Sequence, residues 1–135
     1  MGLDQYAYAS SDIKSEDRHE LAYWRKHNRL HGWMEDLWED KGRPHYNDIE
    51  NPLGDFNCQP VELTLSDIEQ LEAHVEGKSL PETQGFFFGD DSYSYDDEDF
   101  NASGGYFHKE LDVKFIEDAR KAIEQGKKVY YDSWW

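Results

Sequence analysis

The run Tyr23-Trp24-Arg25-Lys26-His27-Asn28-Arg29-Leu30-His31-Gly32-Trp33 constrains the fold more than any other stretch of this chain. At about 100° per residue, Tyr23, Trp24, His27, Leu30, His31, Met34, Leu37 and Trp38 fall in one arc, with Arg25, Asn28, Arg29, Glu35, Asp36, Glu39 and Asp40 outside it. The pattern predicts a helix from about Arg18 to about Asp40, stopped by Gly42 and Pro44. Its core-facing stripe carries two imidazoles, and a polar group on such a stripe must find a partner. Histidines at i and i+4 can both face a zinc ion, but they make only half of a site, and Asn28 stands where the HExxH pattern needs Glu. The pattern therefore favours neutral histidines, hydrogen-bonded to tyrosine hydroxyls or backbone, over a metal. His31 in particular is expected to be buried and neutral, with a hydroxyl, carboxylate or carbonyl as its partner.

The rest of the chain supplies the parts of a small α+β domain. Leu3–Ala9 reads as a strand and Val61–Leu65 as a short one. Ser66-Asp67-Ile68-Glu69 reads as a capping box opening a helix to about Val75, closed by Gly77. Thr83–Phe88 is a further strand candidate. A third helix is expected from about Asp112 to Gly126, with Leu111, Phe115, Ala119, Ala122 and Ile123 on one face. Val129–Trp135 alternates as a closing strand, Val129, Tyr131, Ser133 and Trp135 against Tyr130, Asp132 and Trp134. Residues 42–59 and 89–105 are turn-rich; the first exceeds ordinary loop length, which points to a functional role or to a cover for the core. At 135 residues there is room for one domain, a small mainly antiparallel sheet with about three helices. Apolar residues are 37% of the chain and aromatic ones 16%, so a few large rings must fill that core.

Charge narrows the partners. Thirty acids against 14 Lys and Arg give a formal charge of −16, a field that repels nucleic acid and anionic membranes and suits a basic protein surface. No apolar run reaches membrane-spanning length and the N-terminus has no signal-peptide character, so a cytoplasmic setting is expected, in keeping with the lone Cys58. Gly89-Asp90-Asp91-Ser92-Tyr93-Ser94-Tyr95-Asp96-Asp97-Glu98-Asp99-Phe100 interleaves six acids with aromatics. It lacks EF-hand spacing, and it can act as a solvated loop or as a surface offered to a basic partner through Tyr93, Tyr95, Asp96, Asp97 and Asp99. Arg25, Lys26 and Arg29 form the one basic spot, expected to pair within the chain. Neither GxxxxGK[ST] nor GxGxxG occurs, and no complete catalytic set is visible, so no cofactor is expected and the reading leans away from an enzyme.

In combination, the opening Met-Gly-Leu-Asp and Tyr6, Tyr23-Trp24-Arg25-Lys26 with Asn28, His31 and Trp33, Leu80-Pro81, Gly85-Phe86-Phe87-Phe88-Gly89, and closing Tyr131, Ser133 and Trp134 resemble a family of small proteins of bacteriophages and some bacterial genomes. The resemblance runs over nearly the whole chain and departs from the commoner pattern at His27. The family supplies no catalytic residues to carry over. A phosphoglycerate kinase label borne by some members does not suit a chain of this size without nucleotide-binding patterns. The resemblance implies a phage accessory protein in the host cytoplasm, and the acidic field, the interleaved aromatics and the lack of a complete catalytic set point to one that binds a host protein with a basic surface. The alternative is a pocket for a nucleotide-like small molecule around Trp24, Arg25, His31, Trp33 and the Phe86–Phe88 run, its rings for stacking and its Arg and His for an anionic group.

Overall fold

Strand β1, Asp4–Ser10, is the member around which the sheet is built. It places Gln5, Ala7 and Ala9 on one face and Asp4, Tyr6 and Tyr8 on the other, so its small side chains lie inward and its large rings outward. In this computed structural model, which describes residues 2–11, 17–43, 56, 59–83 and 108–134, β1 is followed by β2 (His19–Arg25), α1 (Asn28–Asp40), β3 (Val61–Leu63), α2 (Leu65–Glu76), α3 (Lys109–Glu124) and β4 (Lys128–Trp134). The four strands form an antiparallel sheet in the order β2-β1-β4-β3, with a register irregularity between Ala7 and Tyr8. The helices cover the face that carries Ala7, Ala22, Trp24, Val129 and Tyr131 in one hydrophobic cluster. The fold class is the α+β arrangement expected from the sequence.

The main correction concerns the first helix. Residues 19–25 are a strand, and helix starts only at Asn28. Tyr23 and Trp24 therefore do not share a helical stripe with His31; they point to opposite faces of the sheet, Trp24 inward and Tyr23 outward. A helical wheel keeps Tyr23 and Trp24 on one side, whereas the strand alternates Ala22 and Trp24 in with Tyr23 and Arg25 out. Pairing with β1 decides between the two periods, in the register Tyr6↔Tyr23 and Asp4↔Arg25. Lys26, at φ 55°, turns the chain out of the strand, and its N–H bonds the Leu3 carbonyl at 2.8 Å. Beyond it the wheel holds: Leu30, His31, Met34 and Trp38 are buried, though Asn28, expected on the solvated side, is buried as well.

Smaller differences have local causes. Helix α2 is capped by Thr64 with Asp67 at N3, two residues before the expected Ser66 box, so β3 ends at Leu63. Lys41 Nζ lies 2.6 Å from the same Asp67. Burial works to raise the Asp67 pKa, but the Lys41 and Thr64 hydrogen bonds outweigh it and hold the carboxyl below its ordinary value. Helix α3 begins three residues before Asp112 and ends in a turn where Gly126 takes φ 86°, its N–H on Ile123 and that of Lys127 on Ala122. Phe56, from the long segment 42–59, is fully buried against Tyr131, Trp38 and His31, so at that point the segment covers the core. The strand expected over Thr83–Phe88 lies, beyond Thr83, outside the described residues.

One close approach is specific to a glycine. A Cβ at Gly32 would fall 1.8 Å from Thr83 Oγ1 and 2.9 Å from its Cβ. Gly32→Ala is therefore expected to cost on the order of 1–3 kcal/mol. Denaturant titration should show part of the loss recovered in the Gly32→Ala, Thr83→Gly double variant; an undiminished stability in the single variant contradicts this packing.

Candidate functional site

The titratable groups of the interior converge where β1, β2, the start of α1, the first turns of α3 and β4 meet. Gln5 lies opposite Trp24 on one side and Ser133 on the other. Its Oε1 accepts the His27 N–H at 2.8 Å, while its Nε2 donates to the His27 carbonyl and to Tyr131 Oη, both at 3.0 Å. The backbone N–H of His27 needs an acceptor, and that fixes which end of the Gln5 amide faces it. Asp112 accepts from Trp24 Nε1 at 2.8 Å on one oxygen and meets His27 Nε2 at 2.7 Å on the other. The Asp112 carboxyl thus bridges the Trp24 indole and the His27 imidazole, tying α3 to β2 and to the turn that follows it. The His108 ring stacks on His27 at 4.3 Å and 15°.

One turn along α1, His31 Nδ1 lies 2.8 Å from Tyr131 Oη. Gln5 Nε2 and His31 Nδ1 thus both lie within hydrogen-bond distance of the one hydroxyl. This is the tyrosine partner that the sequence predicts. Burial pushes the Tyr131 hydroxyl well above its ordinary pKa and pulls His31 down to about 3, so both are neutral at pH 7. His108 is lowered to about 4, by burial first and then by the nearby His27, with Asp112 opposing.

The His27–Asp112 pair has the spacing of a general-base dyad, but its side chains are 0% and 1% exposed. In this closed position the pair acts as a fastener, tying α3 to the turn between β2 and α1. Among the described residues no group of three or more His, Cys, Asp or Glu could hold a metal ion. None of Gln5, His108 and Asp112 stands out in the sequence as a candidate. A signal for Asp112 exists: it sits on the i, i+3, i+4, i+7 stripe with Phe115, Ile116 and Ala119, where a carboxylate needs a partner.

The structure brings some of the sequence-predicted residues together and separates others. Trp24 and His31 both flank Tyr131 in the core, at ring distances of 6.4 and 6.0 Å. Arg25 lies on the opposite face, its guanidinium 3.8 Å from Asp4, so it shares no pocket with them. Trp33 is nearly buried beside His74, at the edge of a cleft with Leu37, Gln70 and Pro81. Arg29 donates to the Leu80 carbonyl at 2.8 Å. Tyr93, Tyr95, Asp96, Asp97, Asp99 and the Phe86–Phe88 run lie outside the described residues.

The exposed features gather elsewhere, on the sheet face away from the helices. Tyr6, Tyr23 and Trp134 are 36%, 43% and 64% exposed. Tyr6 and Tyr23 touch across the β1–β2 pair at 5.3 Å, and Tyr23 Oη donates to Asp4 at 2.6 Å. Among the described helices none is long and apolar enough to cross a membrane. Comparisons with protein-family models, with curated proteins and with solved structures find no match to this chain.

Two outcomes test the fastener. Asp112→Ala strands the His27 imidazole and the Trp24 N–H in the core, and is expected to destabilise by on the order of 3–5 kcal/mol in denaturant unfolding. His31 and His108 set a pH dependence. Their folded pKa values lie below the ordinary 6.5, so the unfolded chain takes protons that the folded one refuses. The stability owed to neutral imidazoles is full above about 6.5 and drains away as pH falls toward about 4 and about 3. His31→Gln, which cannot charge, should lose about 2 kcal/mol less than the parent between about pH 7 and about pH 4.5. Parallel pH profiles for the two proteins contradict the assignment.

Proposed function

We propose that this chain is a non-enzymatic binding protein whose partner is a protein with a basic surface. The observation that carries the reading is the concentration of Tyr6, Tyr23 and Trp134, exposed rings, on one face of a chain of net charge −16. Tyr and Trp are the side chains that anchor protein interfaces, since they offer large contact area at little entropic cost. An acidic field adds attraction and orientation toward a basic partner and rejects polyanions. The closure of the His27–Asp112 pair argues in the same direction, because the best-formed acid–base set of the described residues has no opening to solvent.

The resemblance to bacteriophage proteins makes the partner a host protein and the host cytoplasm the place of encounter. The acidic stretch with Tyr93, Tyr95, Asp96, Asp97 and Asp99 belongs to the same proposal as a second contact region. The nucleotide-pocket alternative draws less support, since Arg25 faces away from Trp24 and His31.

The test is recovery of a partner from bacterial lysate with the tagged full-length protein at low salt. A stoichiometric partner with a basic surface is expected, released as ionic strength rises. Replacing Asp96, Asp97 and Asp99 together by Asn should weaken the complex and flatten its salt dependence. If no protein is retained at low salt by folded bait, the proposal fails.

A further inference from the structure

The outer face of the sheet contains a cleft of about 290 Å³ lined by Tyr6, Ala7, Tyr8, Arg18, Glu20 and Asp132. The register explains the set: Tyr6 stands opposite Asp132 on β4, and Tyr8 opposite Glu20 on β2. Three features of the cleft point to a cation as occupant. The first is Asp132, whose carboxylate is raised above its ordinary pKa by burial, against the opposing pull of the Ser133 N–H at 2.8 Å and of Arg18. A carboxylate in that state gains from a further positive neighbour. The second is the Tyr6 ring, 36% exposed at the edge of the cleft, an aromatic surface that a cation can approach. The third is Arg18 itself, whose guanidinium lies over the Tyr8 ring at 4.5 Å. The cleft already holds one guanidinium against an aromatic face, yet two carboxylates line it.

We propose that this cleft seats an arginine side chain of a basic partner protein, its guanidinium against the exposed Tyr6 ring and its N–H groups directed at Asp132 and Glu20. This rests on the binding function proposed above and names the chemistry that the sheet face reads. Arginine suits the cleft better than lysine. A planar fork with five donors can lie flat on a ring and reach several separated acceptors, whereas an ammonium is a compact and strongly hydrated point charge. The neighbouring Tyr23, 5.3 Å from Tyr6, and Trp134 on the next row of the face then bound the docked segment with further aromatic contact.

The full-length protein, labelled for amide NMR, tests this with two probes of equal length, a short oligo-arginine and a short oligo-lysine peptide. Oligo-arginine is expected to bind several-fold more tightly, and to shift the amides of Tyr6, Tyr8, Glu20 and Asp132 before others. Asp132→Asn and Tyr6→Leu should each weaken oligo-arginine binding about fivefold or more, while Glu69→Gln on the exposed side of α2 leaves it unchanged. The spectrum reports whether each variant is folded, and either cleft variant alone suffices. Shifts scattered over the acidic surface, with Asp132→Asn equivalent to Glu69→Gln, overturn the cleft and leave the basic-partner reading standing on charge alone. Equal affinity for oligo-lysine at the cleft overturns the arginine preference. No binding of either peptide at low salt counts against the cleft and the basic-partner reading together.

Discussion

The Gln5 side chain ties the centre of the sheet to the start of α1 and to Tyr131. From the centre of the sheet it grips both the N–H and the carbonyl of His27, and so fixes the place where strand β2 turns into helix α1. With that backbone pinned, the His27 imidazole is delivered to Asp112, and Asp112 in turn takes the Trp24 indole N–H. A sheet strand, a strand-to-helix turn and the third helix are thus joined by charge-assisted and neutral hydrogen bonds inside a dry core. Such bonds are strong when complete and costly when one member is missing, which makes the network a specifier of geometry as much as a source of stability. His27 spends its side chain on this junction, and α1 consequently starts without a side-chain cap.

The second consequence is a division of labour between the two faces of the sheet. The inward face, with Ala7, Ala9, Ala22 and Val129 beside Trp24 and Tyr131, is packed by helices and sealed. T-shaped contact between Trp24 and Phe115 at 5.2 Å locks α3 onto β2. On the outward face Tyr6, Tyr23 and Trp134 reach water, while Tyr8 and Tyr130 stack on each other and are buried. Large aromatics on a solvated face are an expense in solubility terms, and a net charge of −16 offsets it. The same strands supply both faces, because alternate residues of β1 and β4 point to opposite sides.

Much of this was legible in the residues. The alternation of Val129, Tyr131 and Ser133 against Tyr130, Asp132 and Trp134 assigns β4 and both its faces, since a period of two admits few other arrangements. The stripe of Phe115, Ala119 and Ala122, closed by Gly126, assigns α3 in the same way. His31 as a buried, neutral partner of a tyrosine follows from an imidazole on an apolar arc in a chain rich in tyrosine. Residues 19–25 read as helix because Tyr23 and Trp24 continue the apolar arc of Leu30, His31 and Met34 on a wheel, and only pairing with β1 shows that they alternate across a pleat.

The amino-acid sequence by itself determined the class of fold, the amphipathic faces of α1, α3 and β4, and the sign of the charge, because each depends on the order of residues within one element. Only the tertiary structure decided that Tyr23 and Trp24 part to opposite sides of a strand, since that follows from a hydrogen-bonded partner, β1, lying in space beside them. The same holds for Gln5, His27 and Asp112, which are brought from three separate elements into one network, and for the cleft between Tyr6, Tyr8, Glu20 and Asp132, assembled across three strands. Pairings between elements distant along the chain are set by packing and register, and a linear pattern carries no record of which distant residue will stand opposite.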